Sequence, residues 1–125
     1  AIEVVDSAID DWKITLVDTV ADNASCGLYV LGLEPRRIGA LSLAGCGMDF
    51  RKNGTTVSVG SGVACLGNPL SATYWLAKKM AELGQPLRAG DVVMSGALGP
   101  MVPVTRGDRV DVEISGLGRV SCALE

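Results

Sequence analysis

Residues 18 to 27, DTVADNASCG, place two aspartates, an asparagine, a serine and a cysteine between the apolar stretches KITLV and LYVL. Oxygen-bearing side chains this dense are typical of a turn, in which Asp and Asn bond to local backbone amides. They are equally typical of a site built where strands end. Asp18 and Asp22 could help to bind a hard metal ion or move protons. The pattern alone leaves both interpretations open.

Three more polar residues stand at or near the ends of predicted strands, namely Glu3 in AIEVV, Asp6 shortly after it, and Ser95 in VVMSG. A carboxylate among apolar residues is costly to bury unless it is paired or binds a cation. A glutamate on an edge strand that faces solvent would explain Glu3 as simply. The residue types alone therefore indicate only a possible, incomplete oxygen-ligand site for a hard metal.

The absence of histidine removes whole classes of chemistry. Without it, Ser-His-Asp and Cys-His nucleophilic arrangements and histidine-containing zinc sites are excluded. The four cysteines form no CxxC pair and lie among small or apolar residues, which predicts reduced core thiols in a cytoplasmic protein. They are Cys26, Cys46, Cys65 and Cys122. Chemistry must then come from carboxylates, lysines, backbone amides or a metal.

Length and charge narrow the class of partner. A chain of 125 residues, 48% of them apolar, is large enough for one domain with its own core. The net charge of −3 argues against nucleic acid or an anionic membrane surface as the main partner. GSGVACLG lacks the spacing and the Lys-Ser/Thr pair of a phosphate loop. Residues 1 to 9 lack the basic flank of a signal peptide and begin directly on a predicted strand, so we expect a fragment, roughly the second half of a longer protein.

The predicted elements are mostly strands with one main helix. Asn53-Gly54 separates two alternating segments and predicts a type I′ hairpin, and a second hairpin is predicted to turn at residues 116–118. The helix is predicted over residues 69–83, between an Asn68 cap and a Gly84 stop, with an apolar face that packs against a sheet. We also expect a short buried strand in GLYVLG. The class is therefore β-rich α+β.

Long stretches of the chain resemble a known family. AIEVVDSAIDDWKITLVDTVADNASCGLYVLG is similar to the middle of the 2-keto-4-pentenoate hydratases, which act in meta-cleavage pathways and belong to the fumarylacetoacetate hydrolase superfamily. The resemblance continues through RKNG, through the segment from GVACLGNPL to VPVTRGD, and through GLGRVSCALE. It covers essentially the whole chain, in order, and ends where such proteins end.

The resemblance implies a fold and a metal. The family fold is a mixed, rolled-up β-barrel with flanking helices, and residues 1–125 would form the C-terminal part of its catalytic barrel. Family members bind Mg²⁺ or Mn²⁺ through three carboxylates, two from an upstream E-x-E motif and one from the strand that AIE completes here. Glu3 would be that third metal ligand, which replaces the solvent-facing interpretation. The E-x-E pair and an upstream lysine segment are missing, so the resemblance implies that this chain alone is inactive.

The resemblance also implies roles at the substrate. Asp18 would orient water or transfer a proton, Asp22 and Asn23 would shape the loop, and Ser95 and Gly96 would approach the substrate carboxylate. The implied substrate is a small 2-hydroxy or 2-oxo dienoic acid. The implied reaction ketonises 2-hydroxypenta-2,4-dienoate and adds water at C4 to give 4-hydroxy-2-oxopentanoate. Family members are commonly multimeric, which predicts a homo-oligomer.

Two other functions stay open. One is the sister enzyme 4-oxalocrotonate decarboxylase, which shares the scaffold and the metal. That subgroup is expected to carry GGIT-like residues where this chain has SGALGP, which favours the hydratase. The other is a non-catalytic β-domain that serves only assembly or binding of a small acid.

Overall fold

The computed structural model describes residues 1–39 and 41–125, which contain six strands and two α-helices. Their bounds are β1 Ile2–Val5, α1 Leu16–Ala21, β2 Cys26–Val30, β3 Gly47–Lys52, β4 Thr55–Ser61, α2 Pro69–Glu82, β5 Arg109–Ile114 and β6 Gly118–Ala123. Short 3-10 turns precede α1, join it to β2, and follow β4.

Strands β3 to β6 form an antiparallel sheet in the order β4-β3-β5-β6. Alternate residues of a strand share a face, so Val110 and Val112 of β5 lie on the same side. There they are buried together with Val120 of β6 and Ile2 of β1. The small core therefore lies where β1 meets the four-stranded sheet.

Both predicted hairpins are confirmed. Asn53 and Gly54 have φ angles of 51° and 83°, as a type I′ turn requires at its two central residues. Gly116 and Gly118 have φ angles of 76° and 106° where β5 turns into β6. The Asn53 side-chain amide also donates to Asp108 Oδ1 at 2.7 Å, which ties the first hairpin to the start of β5.

Strands β1 and β2 form a separate antiparallel ribbon in which Glu3 lies opposite Tyr29. The prediction of a strand in GLYVLG is confirmed, but the prediction that it is buried is wrong. Leu28 is 69% exposed and Tyr29 is 47% exposed. The physical reason is that β1 is the one neighbour of β2 among the described strands, so most of β2 stays open.

Helix α2 begins and ends close to the predicted residues. Asn68 Oδ1 accepts a hydrogen bond from Leu70 N at 2.9 Å, and Pro69 occupies the first helical position. Gly84 follows the last turn with a φ of 74°, the left-handed conformation that glycine adopts without strain. Neither helix in the described part of the chain is long and apolar enough to cross a membrane.

The prediction that α2 packs firmly against a sheet is wrong. No residue of α2 is buried, and Tyr74 and Trp75 are 73% and 58% exposed. The half-buried side of the helix carries Leu76, Ala77 and Met80. Apolar periodicity predicted an amphipathic helix correctly, but its aromatic residues lie on the side that no described strand covers.

Residues 91–97, where a strand ending at Ser95 was expected, contain no regular strand. Gly96 and Gly99 follow with flexible backbones, and Pro100 and Pro103 have no N–H to donate to a ladder. The segment is therefore irregular, even though VVM has the composition of a strand.

The predicted α+β class, rich in strands and with one main helix, is confirmed. The strands of the described part form two antiparallel sheets, and these do not close into a barrel. The mixed barrel is thus not formed by these residues alone.

Candidate functional site

A cavity of about 670 Å³ lies between the β1–β2 ribbon and the four-stranded sheet. Strand β1 and Asp6 form one side, and the residues Gly96–Val104, here called the wall segment, form another. Inward-facing residues of β3 and β5, among them Phe50 and Val112, form the floor. Three parts of the chain that are distant in sequence therefore meet around one space.

Glu3 lines this cavity from β1 and is half-buried. Its carboxylate lies beside the thiol of Cys26 across the ribbon, and the hydrogen bond between them is the main reason that the pKa of Cys26 is raised. The described residues place no lysine or arginine within ion-pair distance of Glu3. A partly desolvated carboxylate whose neighbour is a neutral thiol is suited to accept a cation.

Asp6 also lines the cavity, while its side chain is more exposed than that of Glu3. Its backbone N–H donates to the carbonyl of Ser25 at 2.8 Å, so the end of β1 is attached to the turn before β2. That turn is part of DTVADNASCG. The polar cluster therefore borders the cavity through backbone contacts.

The turn before β2 is strained. Asn23, Ala24 and Ser25 have φ angles of 47°, 58° and 57°, three consecutive left-handed residues of which none is glycine. Such conformations cost about 1–3 kcal/mol each and are often found at functional sites. Within the described residues, the buried hydroxyl oxygen of Ser25 has no hydrogen-bond partner. The sequence reasoning did not single out Ser25, since neither its backbone angle nor its burial is visible in the sequence.

Asp18 lies on α1, a helix that was not predicted. Its Oδ2 accepts hydrogen bonds from Thr15 N at 2.8 Å and from Thr15 Oγ1 at 2.7 Å, and Thr15 Oγ1 accepts one from Asp18 N at 3.3 Å. This reciprocal arrangement is a capping box. The hydrogen bonds from Thr15 lower the pKa of Asp18, so the carboxylate is ionised at neutral pH. Asp18 does not line the cavity.

Of the two residues predicted to contact the substrate, Gly96 lines the cavity and Ser95 does not. Gly96 has a φ of 113°, which a residue with a side chain rarely adopts. Ser95 is half-buried, and its hydroxyl lies beside the thiol of Cys65. The structure thus brings Glu3 and Gly96 to one cavity and leaves Asp18 and Ser95 outside it.

The cavity is polar at one end only. Among the described lining residues the acidic ones are Glu3 and Asp6, and none is basic. The rest of the lining is mostly aliphatic, with side chains such as Met48, Val104 and Ile114. Such a space suits a ligand with an uncharged hydrocarbon part whose polar end meets the two carboxylates.

The carboxylates fit part of a hard-metal site. In the described part of the chain, no three Cys, Asp or Glu side chains lie close enough together to hold a metal ion. Glu3 and Asp6 supply the oxygen ligands that Mg²⁺ and Mn²⁺ prefer. These residues can therefore contribute to such a site, but they do not complete one.

A fold of this kind, with a carboxylate at one end of an apolar cavity, matches the family described as fumarylacetoacetate (FAA) hydrolase C-terminal, and the chain belongs to this family over residues 1–125. Within it the chain is similar to enzymes of one type. It is 56% identical over 121 residues to 2-keto-4-pentenoate hydratase 1 of Dechloromonas aromatica, covering 97% of this chain and 46% of that protein. The resemblance inferred from the sequence is confirmed.

Two more relatives carry related names. The chain is 56% identical over 123 residues to the TodF product hydratase of Pseudomonas putida, covering 98% of this chain and 46% of that protein. It is 47% identical over 119 residues to 2-hydroxyhexa-2,4-dienoate hydratase of Comamonas testosteroni, covering 95% and 45%. The chain spans about half the length of the curated relatives it matches.

Among solved structures, the chain is similar to 4-oxalocrotonate decarboxylase from Pseudomonas putida G7, complexed with magnesium and adipate. The TM-score is 0.92 at 37% sequence identity, over 98% of this chain and 47% of that one. The fold of the described residues is therefore the one that this magnesium-bound relative uses for the corresponding half of its chain.

Proposed function

We propose that this chain is the C-terminal part of a metal-dependent hydratase that adds water to 2-hydroxypenta-2,4-dienoate and yields 4-hydroxy-2-oxopentanoate in meta-cleavage catabolism. The observation that carries the proposal is the half-buried carboxylate of Glu3 at one end of a largely aliphatic cavity. Identities of 53–56% with several 2-keto-4-pentenoate hydratases, over nearly the whole chain, support it.

Glu3 is proposed as one ligand of Mg²⁺ or Mn²⁺, because it is the partly desolvated carboxylate without a cationic neighbour. A hard cation bound there would hold the carboxylate and 2-oxo oxygens of a 2-oxo acid and favour its enolised form. Asp6, on the same side of the cavity, is placed to bind water or a ligand hydrogen atom. The ionised state of Asp18 allows it to accept a proton, which is the role proposed for it.

Gly96 is proposed to bring the backbone close to the substrate, since it lines the cavity and carries no side chain. The aliphatic floor and the wall segment exclude water from the hydrocarbon end of the substrate, which limits side reactions of an enol. Ser95 acts next to this point, and its proposed contact with the substrate carboxylate requires its hydroxyl to turn away from Cys65.

The apolar lining favours the hydratase over a decarboxylase of a dicarboxylic acid. A second carboxylate would meet aliphatic side chains and no basic residue among those that the structure describes here, which is costly without a partner. A 4-oxalocrotonate decarboxylase is kept as the second candidate because the described fold matches one with a TM-score of 0.92.

The remainder of the catalytic site is proposed to come from the other half of a longer protein. That half would supply the further carboxylates, the lysine and the strands that close the barrel. The proposed oligomer is a homo-oligomer of that longer chain.

The proposal is tested by assaying the full-length protein with 2-hydroxypenta-2,4-dienoate and, separately, with 4-oxalocrotonate, each with Mg²⁺ and with excess EDTA. We expect turnover of the dienoate that EDTA abolishes and Mn²⁺ or Mg²⁺ restores. Faster decarboxylation of 4-oxalocrotonate would instead identify the second candidate. Turnover of neither substrate would overturn both.

A further inference from the structure

The wall segment runs antiparallel along the open edge of β4 and is held through its carbonyl oxygens. Four donors from β4 and its flanks meet four positions of the wall. They are Cys65 Sγ to Gly96 O at 3.1 Å, Ser61 N to Leu98 O at 3.0 Å, Ser58 Oγ to Pro100 O at 2.8 Å, and Lys52 Nζ to Pro103 O at 3.1 Å. This side of the cavity thus depends on donors that lie behind it.

Two glycines allow the wall segment to approach β4 closely. A Cβ atom on Gly99 would lie 2.6 Å from the carbonyl oxygen of Val59, and a Cβ atom on Gly60 would collide with the carbonyl of Leu98. The two backbones are therefore packed directly on each other. Any widening of the gap moves the cavity wall itself.

Side-chain donors are needed because the wall segment cannot complete a ladder. Pro100 and Pro103 have no N–H, so the wall offers carbonyls where a strand would also offer donors. Ser58 and Cys65 are 7% and 5% exposed, so water does not readily replace their hydrogen bonds. Loss of either donor would leave a carbonyl without its partner.

The state of Cys65 agrees with a donor role. Burial is the main cause that raises the pKa of its thiol, while the neighbouring hydroxyl of Ser95 lowers it. The thiol is therefore protonated at neutral pH and able to donate, both to the Gly96 carbonyl and, at 3.4 Å, to that of Ala97.

We propose that Ser58 and Cys65 are positioning residues that fix the wall segment and thereby set the width of the substrate cavity. Neither side chain lines the cavity, so both act through the carbonyls that they hold. The link to substrate rests on the proposed hydratase function. Ser58 fixes the wall at Pro100, opposite the floor, and Cys65 fixes it at Gly96.

The test compares Ser58→Ala and Cys65→Ala with a matched control in the full-length protein. Thr56→Ala is the control, because Thr56 is also on β4 and its hydroxyl donates to the side chain of Asp49 at 2.9 Å, away from the wall. We expect KM for 2-hydroxypenta-2,4-dienoate to rise about three- to tenfold in the first two variants, the equivalent of one buried hydrogen bond. In both, kcat should stay within about twofold, and Thr56→Ala should leave KM unchanged.

A second readout does not depend on activity. Amide hydrogen exchange of residues 96–104, followed by mass spectrometry, should accelerate in Ser58→Ala and Cys65→Ala and not in Thr56→Ala. Cys65→Ser, which keeps a donor, should restore both the protection and the KM. A merely structural role would lower thermal stability without this local and chemically specific pattern.

The outcomes separate the two proposals. Unchanged exchange of the wall segment in both alanine variants would overturn the positioning role, whatever the activity. Faster exchange with an unchanged KM would overturn the link between the wall and the substrate. If the unsubstituted enzyme does not hydrate the dienoate, the proposed function fails, and hydrogen exchange still decides whether Ser58 and Cys65 hold the wall.

Discussion

The carboxylate of Glu3 lies beside the thiol of Cys26, on the same face of the β1–β2 ribbon, and raises the pKa of that thiol. Glu3 is opposite Tyr29, and Cys26 is opposite Val5, two residues along β1. The thiol is thus a neutral donor that leaves the negative charge of Glu3 uncompensated. This pairing distinguishes Glu3 from the surface carboxylates that have basic partners, such as Asp49 with Arg51 at 2.6 Å.

Replacing Glu3 by Gln in the full-length protein should weaken Mg²⁺ binding strongly, on the order of 100-fold, because one anionic oxygen ligand is lost. Isothermal titration calorimetry measures the change. Glu113→Gln is the matched control, since Glu113 is an exposed glutamate on β5 outside the cavity. Equal Mg²⁺ affinities for Glu3→Gln and the unsubstituted protein would contradict the ligand role.

Asp18→Asn separates a helix cap from a proton-transfer group. As a cap, Asp18 shares its hydrogen bonds with Thr15, so Asp18→Asn and Thr15→Ala should reduce stability to a similar extent. If Asp18 also transfers a proton, Asp18→Asn should lower kcat at least tenfold more than Thr15→Ala does. Equal kcat values for the two variants would leave Asp18 with the capping role alone.

The stabilising effect of Asp18 should depend on pH. Its pKa is lower in the folded chain than in the unfolded chain, so its contribution is fully present above its ordinary value, near 4, and disappears as the pH falls through the lower, folded value. The difference in urea midpoint between the unsubstituted protein and Asp18→Asn should therefore be constant from pH 5 to 8 and shrink below about pH 4. A difference that grows on acidification would contradict the assignment.

Ser25 and Ser58 are both buried, and their hydroxyls should respond in opposite ways to removal. Ser58→Ala breaks a hydrogen bond to the Pro100 carbonyl and should lower the free energy of unfolding by about 1–3 kcal/mol. Ser25→Ala removes a hydroxyl that has no partner within the described residues and should leave stability unchanged or raise it by about 1 kcal/mol. Urea denaturation of the full-length protein measures both. A marked loss in Ser25→Ala would indicate a hydrogen bond that these residues do not supply.

The isolated 125-residue chain should show no hydratase activity and bind Mg²⁺ only weakly. No three acidic or thiol side chains of its described part are close enough to hold a metal ion, and Glu3 alone supplies little of the charge that a hard cation needs. Adding the other half of the protein, in trans or fused, should restore turnover if the halves assemble. Turnover by the chain alone, near the full-length rate, would show that its own carboxylates suffice.

The full-length protein should form a homo-oligomer. Helix α1 exposes Leu16, Val17 and Val20 at 81%, 77% and 74%, and Met101 in the wall segment is 70% exposed. Apolar surface of this extent is typically covered in the assembled molecule. Sedimentation velocity over a wide range of concentration measures the assembly, and a monomer throughout would contradict the prediction.

Local chemistry was predictable where single residues decide the backbone. Asn53-Gly54 set the hairpin, and Asn68, Pro69 and Gly84 set the bounds of α2, because caps and positive φ angles are properties of residue types. Helix α1 was missed, although Thr15 and Asp18 have the spacing of a capping box. It has only six residues, too few to show a clear apolar period.

The site was predictable only in part, because its geometry depends on contacts between distant residues. The family resemblance placed Glu3 and Gly96 in one neighbourhood, and the structure brings both to one cavity. It could not reveal that Asp18 bonds to Thr15, or that Ser95 turns toward Cys65. Long-range pairs such as Ser58 with Pro100 leave no local pattern in the chain.

The prolines of the wall segment have a consequence for solubility. A strand at the edge of a sheet can pair with the edge of another molecule and so start aggregation. The edge of β4 is covered by the wall, and Pro100 and Pro103 deny an incoming strand the amide donors it would need to extend the sheet. Replacing both prolines by residues with an N–H would complete a fifth ladder and turn a protected edge into a template for misassociation.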